Sequence, residues 1–392
     1  MSTMHFSTTL LASFLALVAA APSNPKYLTF PITRHHNDSE FVQQHHHLLT
    51  RQAPIPVDIL NKGAYYSIAL NLGTPAQDFN LLLDTGSSDL WVYNITDTTD
   101  CNNNQCDVTG QFDGSASSTY NFLSDDYFIQ YVSGNASGNW GTDTLTLGSV
   151  SLTDFQFACA SNAAGNTGIL GISVQGQESV GRYGSEYPNF PVALQNAGYI
   201  DRQVYSLYLN NADSSDGTFL IGGIDTAKYS GSLTVLPLTQ QDALQISYNS
   251  ITYDGAQVGG SGQAVLDSGT SLTYIPDAAY QALATKLGLS SSPDPISGLI
   301  DIPCDSDVSV EFNFDGVIIT ATSEQIVLST GGSTCGFGIQ SNANSQGNTL
   351  FGDTFLRNAY VVYDLQDSQI GLAQAVYTSA SNIQAQNGPL SN

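Results

Sequence analysis

"LLLDTGSSDLWV", residues 81–92, runs three leucines into an aspartate, Asp84, and follows it with small residues. Residues 264–275, "AVLDSGTSLTYI", repeat this pattern around Asp267. Each apolar run predicts a buried strand, and each Asp-Thr/Ser-Gly sequence predicts a tight loop at the end of that strand. One such loop would be ordinary turn chemistry, in which the aspartate caps its own turn. Two of them in one chain indicate that the two carboxyl groups act together.

The spacing of a second motif indicates an internal duplication. The two aspartates lie 183 residues apart (267 − 84), and Gly171 in "GILGI" lies 181 residues before Gly352 in "TLFGD" (352 − 171). Chance similarity of short glycine-containing strings does not account for two matched offsets. We therefore expect two related lobes, each with one Asp loop and one apolar strand beside it.

The remaining patterns predict a mainly β protein with few short helices. Short alternating runs such as "YYSIALNL" and "YVVYDL" occur with 36 glycines and 20 tyrosines, which favours strands joined by tight turns. Helices are predicted over "PDAAYQALATKLGL", with Asp277 as N-cap and Gly288 as C-terminal stop, and over "FPVALQNAG" and "DTFLRNA". The predicted fold class is all-β and bilobal, with two lobes related by a pseudo-two-fold axis and a cleft between them.

The charge is strongly acidic. The chain has 34 Asp and Glu against 9 Lys and Arg, for a net charge of -25. Such a surface repels nucleic acid, whose phosphates need basic partners, so we exclude that class of ligand. The acidic balance is consistent with plain solubility, but it favours a protein that works at low pH, where the self-repulsion weakens.

The N-terminal region is predicted to be removed in two steps. Residues 1–21 read as a signal peptide, since the apolar run is too short for a membrane span and ends in small residues. Residues 22–51 are basic and precede an acidic body, so we interpret them as an inhibitory propeptide, the alternative being a disordered linker. The N-terminal β lobe is then 52–235, and the C-terminal β lobe with a polar tail is 236–392. We predict a secreted, extracellular protein with no membrane segment.

The position of the histidines excludes several kinds of catalysis. All six precede residue 48, so a cut after Arg51 leaves a chain without histidine. Ser-His-Asp and Cys-His catalysis are then impossible, as are the usual histidine-based zinc sites. No phosphate-binding or dinucleotide fingerprint is present either. We expect neither a metal nor another cofactor, and carboxyl groups remain for acid–base chemistry.

The five cysteines fit a secreted protein with two disulfides and one free thiol. Cys159 lies in the alternating run "DFQFACA" and is predicted to be the buried free thiol. The pairing of Cys101, Cys106, Cys304 and Cys335 does not follow from the sequence alone. Glycosylation sequons stand at Asn37, Asn94 and Asn135.

Two facing Asp loops would form a proton-sharing pair. At about 3 Å and an effective dielectric of 20, two carboxylates repel by roughly 5 kcal/mol, so in acid they hold one proton between them. Gly86 and Gly269 would let backbone amides approach the carboxylates. Ser87 and Thr270 would each hydrogen-bond the outer oxygen of the aspartate in their own loop.

These motifs resemble the two active-site signatures of the pepsin-like aspartic proteases, specifically secreted fungal ones. The resemblance covers nearly all of residues 60–377, and "LFGDTFLRNAYVVYDLQDSQIGLA" is similar to the C-terminal block of that family. It implies an aspartic endopeptidase that hydrolyses peptide bonds in acid through Asp84, Asp267 and an activated water. It also implies protein or peptide substrates, the chain's own propeptide as an intramolecular inhibitor, and a monomer.

The resemblance further implies a flap, a hairpin that closes over the substrate. Tyr131 would be its tyrosine, Gly134 would lie in its turn, and Trp91 would hydrogen-bond the tyrosine from behind. Val132 stands where that family usually has glycine, and Ser133 where many fungal members have aspartate, which favours cleavage after apolar residues rather than after lysine. The family's disulfides imply the pairs Cys101–Cys106 and Cys304–Cys335. Leu82 and Ile169 match positions of the cleft wall.

Two other functions are compatible with parts of this pattern. A catalytically inactive pepsin-like protein could bind or inhibit another protein, although both Asp loops and the flap tyrosine are intact here. A glycosidase also uses paired carboxyl groups, but these lie farther apart and would not need the duplicated glycine loops.

Overall fold

The structure is a computed structural model that describes residues 26–36, 64–96, 109–132, 134–163, 167–179, 185–290, 292–294 and 298–391. The predicted signal peptide, the cut after Arg51, the sequon at Asn37, the Cys101–Cys106 pair and Ser133 lie outside these residues.

Strands make up most of the regular structure, as the alternating patterns predict. Within the described residues the strands are β1 Leu28–His36, β2 Ala64–Leu72, β3 Gln77–Asp84, β4 Leu90–Asn94, β5 Gln111–Phe112, β6 Asn121–Gln130, β7 Asn135–Leu147, β8 Val150–Ala163, β9 Ile169–Gly171, β10 Val204–Tyr208, β11 Asp216–Ile221, β12 Gly223–Asp225, β13 Tyr229–Pro237, β14 Gln245–Tyr248, β15 Ser250–Tyr253, β16 Ala256–Gly259, β17 Gly262–Leu266, β18 Thr273–Ile275, β19 Asp301–Ile302, β20 Ser309–Asn313, β21 Ile318–Thr322, β22 Val327–Ser329, β23 Cys335–Phe337, β24 Ile339–Ser341, β25 Leu350–Phe351, β26 Ala359–Asp364, β27 Gln369–Ala375 and β28 Ile383–Ala385.

The helices are short. Those of the described residues are α1 Phe190–Asn196, α2 Asp277–Leu287, α3 Ser323–Ile326 and α4 Asp353–Leu356. Gly288 ends α2 in the left-handed conformation at φ 66°, as its position after the last apolar residue predicts. The predicted N-cap was wrong by one residue: Pro276 caps α2 and Asp277 is its first residue. The Asp277 carboxylate instead accepts a hydrogen bond from Ser341 Oγ at 2.6 Å, which ties α2 to β24.

The duplicated motifs form the same small unit twice. In the first half, β9 pairs in parallel with β3 and antiparallel with β4. In the second half, β25 pairs in parallel with β17 and antiparallel with β18. Each Asp loop therefore begins at a strand that is buried between its neighbours, and both loops leave their sheets in the same way. This repetition confirms the structural equivalence that the matched offsets predict.

A large sheet joins the two halves of the chain. Its strand order is β13-β27-β26-β10-β11-β1-β2-β3-β9-β4-β8-β7-β6, with β5 beside β4. Strands β26 and β27 come from the second half, whereas β1 to β11 come from the first. The remaining described strands of the second half form smaller sheets, among them β14-β17-β25-β18-β24 beneath the second Asp loop. The first Asp loop therefore leaves the large sheet at β3, and the second leaves a separate five-stranded sheet at β17.

Strand β1 belongs to the predicted propeptide and lies in the middle of the large sheet. Its residues pair with β11 from Leu28↔Ile221 onward and with β2 from Thr33↔Ser67 onward. Phe30 and Ile32 are buried. Charge alone was expected to hold residues 22–51, but backbone pairing and apolar burial hold the part that the structure describes.

The core and the tail complete the fold. One apolar cluster runs through both halves and includes Cys159, which is buried and free as predicted. The Cys304–Cys335 disulfide is present with an S–S distance of 2.09 Å, as the family resemblance implies. The polar C-terminal tail folds back, since β28 pairs with β12 and Leu390 is buried. Among the described residues, no helix is long and apolar enough to cross a membrane.

Candidate active site

The ends of β3 and β17 bring Asp84 and Asp267 together. Both residues are almost buried, with 5% and 8% of their surface exposed. A Cβ atom added to Gly86 would lie 2.6 Å from Asp267 Oδ1, and one added to Gly269 would collide with Asp84 Oδ1. Each glycine therefore lies directly against the aspartate of the opposite loop. Any larger residue at either position would push the two carboxyl groups apart.

Within each loop, the same two donors fix the aspartate. Gly86 N donates to Asp84 Oδ1 at 2.7 Å and Ser87 Oγ donates to Asp84 Oδ2 at 2.5 Å. In the second loop, Gly269 N donates to Asp267 Oδ1 at 2.9 Å and Thr270 Oγ1 donates to Asp267 Oδ2 at 2.6 Å. These contacts confirm the hydrogen bonds predicted from the sequence.

Burial and mutual repulsion favour a proton on the pair. Removal from water raises the pKa of Asp84 first, and the charge of Asp267 raises it further. The hydrogen bonds from Ser87 and Gly86 act in the opposite direction, because they stabilise the ionised form. Burial and repulsion outweigh these hydrogen bonds, so the pKa of Asp84 is raised on balance. One proton therefore stays on the pair well above the pH at which an isolated aspartate ionises.

Thr85 and Ser268 lock the two loops to each other, and the sequence reasoning missed them. Ser268 N donates to Thr85 Oγ1 at 2.9 Å, and Thr85 N donates to Ser268 Oγ at 3.1 Å. Each hydroxyl in turn donates to a backbone carbonyl of the opposite strand at 2.8 Å, on Leu266 and Leu83. The available signal was a hydroxyl residue directly after the aspartate in both motifs.

A hairpin of β6 and β7 covers the pair. Tyr131 N donates to Gly134 O at 2.7 Å and closes its turn. Trp91 Nε1 donates to the hydroxyl oxygen of Tyr131 at 2.9 Å, which is the contact that the resemblance implies. Burial, and then the charge of Asp84, raise the pKa of Tyr131 well above its ordinary value, so its hydroxyl stays neutral.

A model of the eukaryotic aspartyl protease family matches residues 65–375, a span that contains both Asp loops, the hairpin and the C-terminal block. The chain belongs to that family. This aspartyl protease is an endopeptidase whose substrates are proteins or peptides.

Its relatives are named as aspartic proteases or endopeptidases, and the matches cover most of both chains. The protease is 38% identical over 351 residues to candidapepsin from Candida tropicalis, with 87% of this chain and 86% of that protein covered. It is 37% identical to secreted aspartic protease 8 of Candida albicans, with 85% and 81% covered. It is 34% identical to the probable aspartic-type endopeptidase opsB of Aspergillus fumigatus, with 82% and 71% covered.

The fold has been seen before in a solved structure. The crystal structure of aspartic proteinase from Irpex lacteus matches this protease with a TM-score of 0.70 and 23% identity, and the match covers 90% of this chain and 99% of that one. The bilobal β architecture predicted from the sequence is thereby confirmed.

An apolar cluster, called the wall below, packs behind the β6–β7 hairpin of the protease. Leu82 and Ile169 are register partners on β3 and β9, and both are buried beside Trp91. Tyr131, at the turn of the β6–β7 hairpin, packs against this cluster.

Two buried carboxyl groups lie behind the wall of the protease, and the sequence reasoning did not single them out. Asp89 accepts hydrogen bonds from the Tyr187 hydroxyl at 2.7 Å and from Ser179 Oγ at 2.6 Å. Glu178 accepts one from Tyr187 N at 2.9 Å, and burial raises its pKa to about 8. Asp89 stands inside the quoted motif "DTGSSDLWV", which was the available signal.

The remaining candidate sites in the protease are for metals and glycans. Within the part of the chain that the structure describes, no group of three or more His, Cys, Asp or Glu side chains could hold a metal ion. The sequon residue Asn94 ends β4, and its Oδ1 accepts hydrogen bonds from Thr96 N and Thr96 Oγ1 at 3.0 and 2.9 Å. Asn135 is exposed at the start of β7, next to the flap turn. Both sequons remain predicted glycosylation sites.

Proposed function

We propose that Asp84 and Asp267 are the catalytic pair of this endopeptidase and that they activate a water for attack on a peptide bond in acid. The observation that supports this proposal is the juxtaposition of two buried carboxyl groups in structurally equivalent loops, each carboxyl group lying directly against the glycine of the opposite loop. Such a pair supplies one acid and one base from identical side chains. Its titration belongs to the pair and not to either residue.

The chemistry follows from that single shared proton. The ionised carboxylate takes a proton from the water, whose oxygen attacks the carbonyl carbon of the substrate. The protonated carboxyl group donates its proton to the carbonyl oxygen, which gives a neutral tetrahedral diol. Transfer of a proton to the amide nitrogen and loss of a hydroxyl proton to a carboxylate then break the C–N bond. No covalent bond to the enzyme forms, and the reaction uses no metal or cofactor.

The supporting residues fix this geometry. In the proposal, Gly86, Ser87, Gly269 and Thr270 orient the carboxyl groups through the hydrogen bonds described above. Tyr131, held by Trp91, closes the site with the flap, and Gly134 permits its turn, so bulk water is excluded during reaction.

The wall of the cleft supports a preference for apolar residues at the scissile bond. Leu82, Ile169 and the ring of Tyr131 would contact the substrate there, and none of them can pair with a lysine side chain. A peptide with leucine or phenylalanine before the cleaved bond is therefore expected to be a better substrate than one with lysine.

We also propose that the protease is made as a secreted zymogen and acts as a monomer. Its relatives include proteins named secreted aspartic proteases, and residues 1–21 have the pattern of a signal peptide. Residues 22–51 would be the propeptide. The pairing of β1 with β2 and β11 gives this segment a large contact with the body of the enzyme.

The rival functions differ in what they need from the pair. A glycosidase needs its carboxyl groups at least about 5 Å apart, with room between them for the sugar. Here each Asp loop lies directly against the aspartate of the opposite loop. An inactive binding protein would keep the fold without turnover.

The experiment is cleavage of acid-denatured haemoglobin by the secreted protein and by the variants Asp84→Asn and Asp267→Asn. We expect turnover by the wild type, its inhibition by pepstatin, and no measurable turnover by either variant. Asp315→Asn, which changes an exposed carboxylate in the second half, is the matched control and should retain full activity. Activity in either dyad variant would refute the assignment, and an inactive wild type would favour the binding protein.

A further inference from the structure

Three described carbonyl groups at the tip of the flap accept hydrogen bonds from side chains, and one of them is bound by the other half of the molecule. Gln130 Nε2 donates to Tyr131 O at 2.8 Å and to Gly134 O at 2.7 Å, so these two carbonyls are satisfied within the flap itself. Val132 O instead accepts a hydrogen bond from Gln346 Nε2 at 2.9 Å. These two residues lie 214 positions apart, and their bond spans from the flap to the second half of the chain.

The backbone of Gln346 has a conformation that glutamine rarely adopts. Its φ and ψ are 56° and 29°, in the left-handed region, at the end of a short 3₁₀ helix over Asn342–Ser345. Glycine or asparagine would fit this backbone with less strain, because other side chains crowd the neighbouring carbonyl oxygen there. The glutamine therefore needs a reason that lies in its side chain, and its reach to Val132 O supplies one.

The loop that presents Gln346 is rigid. Ser345 is fully buried, and its Oγ donates to Asn348 O at 2.6 Å. Asn342 Nδ2 donates to Gly347 O at 2.9 Å, and Gly347 N donates back to Asn342 O at 2.8 Å. The loop is thus a fixed support, and the flap is the partner that can move away from it.

We propose that Gln346 is a positioning residue that latches the flap shut from the opposite side of the cleft. Its amide holds the carbonyl of Val132, the neighbour of Tyr131, while Trp91 holds the Tyr131 side chain. The flap can lift only after the Gln346 bond breaks, so Gln346 sets the rate at which peptides enter and leave. The inference rests on the proposed role of the β6–β7 hairpin as the flap.

The latch joins two parts of the protein itself, and this determines its kinetic signature. A bond that closes both the free and the occupied enzyme raises the barrier to entry and to exit together, and it leaves the equilibrium between them unchanged. We expect Gln346→Ala to raise both the association and the dissociation rate constants of pepstatin by roughly 2- to 10-fold, the range that one neutral hydrogen bond implies. The dissociation constant should change by less than about twofold.

Two further variants separate the hydrogen bond from its surroundings. Gln346→Gly removes the side chain and relieves the strain of the left-handed backbone. The flap of this variant should open as fast as that of Gln346→Ala, and the variant should be at least as stable as Gln346→Ala. Gln281→Ala is the matched control: Gln281 is an exposed glutamine on α2 that bonds only Asp277 among the described contacts of its side chain. It should leave both rate constants unchanged.

Gln346→Glu gives a pH signature that a purely structural role would not. A protonated carboxyl group can donate to Val132 O, whereas a carboxylate cannot and is repelled by it. The ratio of the variant's dissociation rate to that of the wild type should be near 1 at about pH 3 and rise to roughly 2–10 at about pH 5.5, on either side of the ordinary glutamate pKa. Taking the ratio at each pH removes the titration of the catalytic pair, which both proteins share.

The decisive measurement is pepstatin association and dissociation by stopped-flow fluorescence. The protein has two tryptophans, Trp91 and Trp140, and both pack in the cluster behind the flap, so its intrinsic fluorescence reports flap movement. Unchanged rate constants in Gln346→Ala would overturn the latch, as would slower association alone, which would mean that Gln346 contacts the ligand. Failure of the wild type to bind pepstatin would instead count against the proposed function.

Discussion

Thr85 and Ser268 exchange backbone-to-hydroxyl hydrogen bonds, and this exchange joins the two Asp loops next to Asp84 and Asp267, the proposed catalytic pair. Each residue follows its aspartate in the chain, and both are buried. The distance between the two carboxyl groups is therefore set by a contact between the loops themselves. Packing of the distant sheets alone would be too compliant to hold it.

Replacing Thr85 by valine should loosen this contact. The substitution keeps the shape of the side chain but leaves Ser268 N–H without its acceptor, and Leu266 O keeps only the longer hydrogen bond from the Tyr363 hydroxyl. We expect unfolding in urea to show a loss on the order of 2 kcal/mol and kcat to fall, because a buried unsatisfied group costs about 1–3 kcal/mol. Thr330→Val, which removes an exposed hydroxyl in the second half, is the control. A Thr85→Val enzyme with wild-type stability and kcat would contradict the role given to this contact.

Adding one methyl group to Gly86 should abolish most of the activity. A Cβ there would lie 2.6 Å from Asp267 Oδ1, and the carboxyl groups would have to separate. A displacement of about 1 Å costs on the order of 100-fold in rate. The initial rate of peptide cleavage by Gly86→Ala is compared with that of Gly388→Ala, whose Cβ would meet no atom within 4 Å. Equal rates for both variants would show that the close approach is unimportant.

Neutral pH should destabilise the protein, partly through Glu178. Its pKa in the folded protein is raised to about 8 from an ordinary value of 4.5, so the folded state holds this proton more tightly than the unfolded state does. The resulting stability is complete below about pH 4.5 and is lost as the pH rises towards 8. Each unit of pKa shift corresponds to about 1.4 kcal/mol, so the effect amounts to a few kcal/mol.

Glu178→Gln tests this by removing the titration while keeping an oxygen for Tyr187 N. Thermal unfolding should give the variant the higher midpoint at pH 7, and nearly the same midpoint as the wild type at pH 3. Glu324→Gln, on the surface of α3, should match the wild type at both values. A variant that is no more stable than the wild type at pH 7 would mean that Glu178 is not protonated in the folded protein.

One thiol should react with iodoacetamide, and only after unfolding. Burial raises the pKa of Cys159 to about 12, which keeps the thiol protonated and shielded in the native protein. Mass spectrometry without reduction should therefore find no alkylation of the native chain and a single alkylated cysteine, Cys159, after denaturation. Three labelled cysteines would show that Cys101 and Cys106 are not paired with each other.

The sequence predicted those parts of the site whose signal is local. An apolar run followed by Asp-Thr-Gly or Asp-Ser-Gly specifies a strand, a loop and a carboxyl group within a few residues, and the repeated spacing specifies their equivalence. The bonds from Ser87 and Thr270 followed because a hydroxyl three residues after an aspartate can reach its outer oxygen. Tyr131 and Trp91 needed the family resemblance, since aromatic residues in strands are common in any core.

The site residues that the sequence did not predict make their hydrogen bonds with residues far away along the chain. Thr85 and Ser268 meet across 183 residues, and Gln346 reaches a carbonyl 214 residues away. The repeated 183-residue offset predicts that the two Asp loops are equivalent, but it does not predict which hydroxyl groups bond across them, and no repeat relates Gln346 to Val132. Glu178 was overlooked because its burial depends on how the loop after β9 packs against Tyr187. The central place of β1 was unexpected as well, since Pro31 and the basic residues after it are unusual in the middle of a sheet.

The position of β1 constrains how the enzyme can be switched on. A prosegment that merely covered the cleft could be cut away like a plug, with the body untouched. Here, removal of residues 22–51 would take away β1, an inner strand of the large sheet. Strands β2 and β11 would then each lose a hydrogen-bonded neighbour. If residues 22–51 are removed as proposed, activation must reorganise the central sheet as well as uncover the site, and the proposed zymogen and the active enzyme would then differ in their strand pairing.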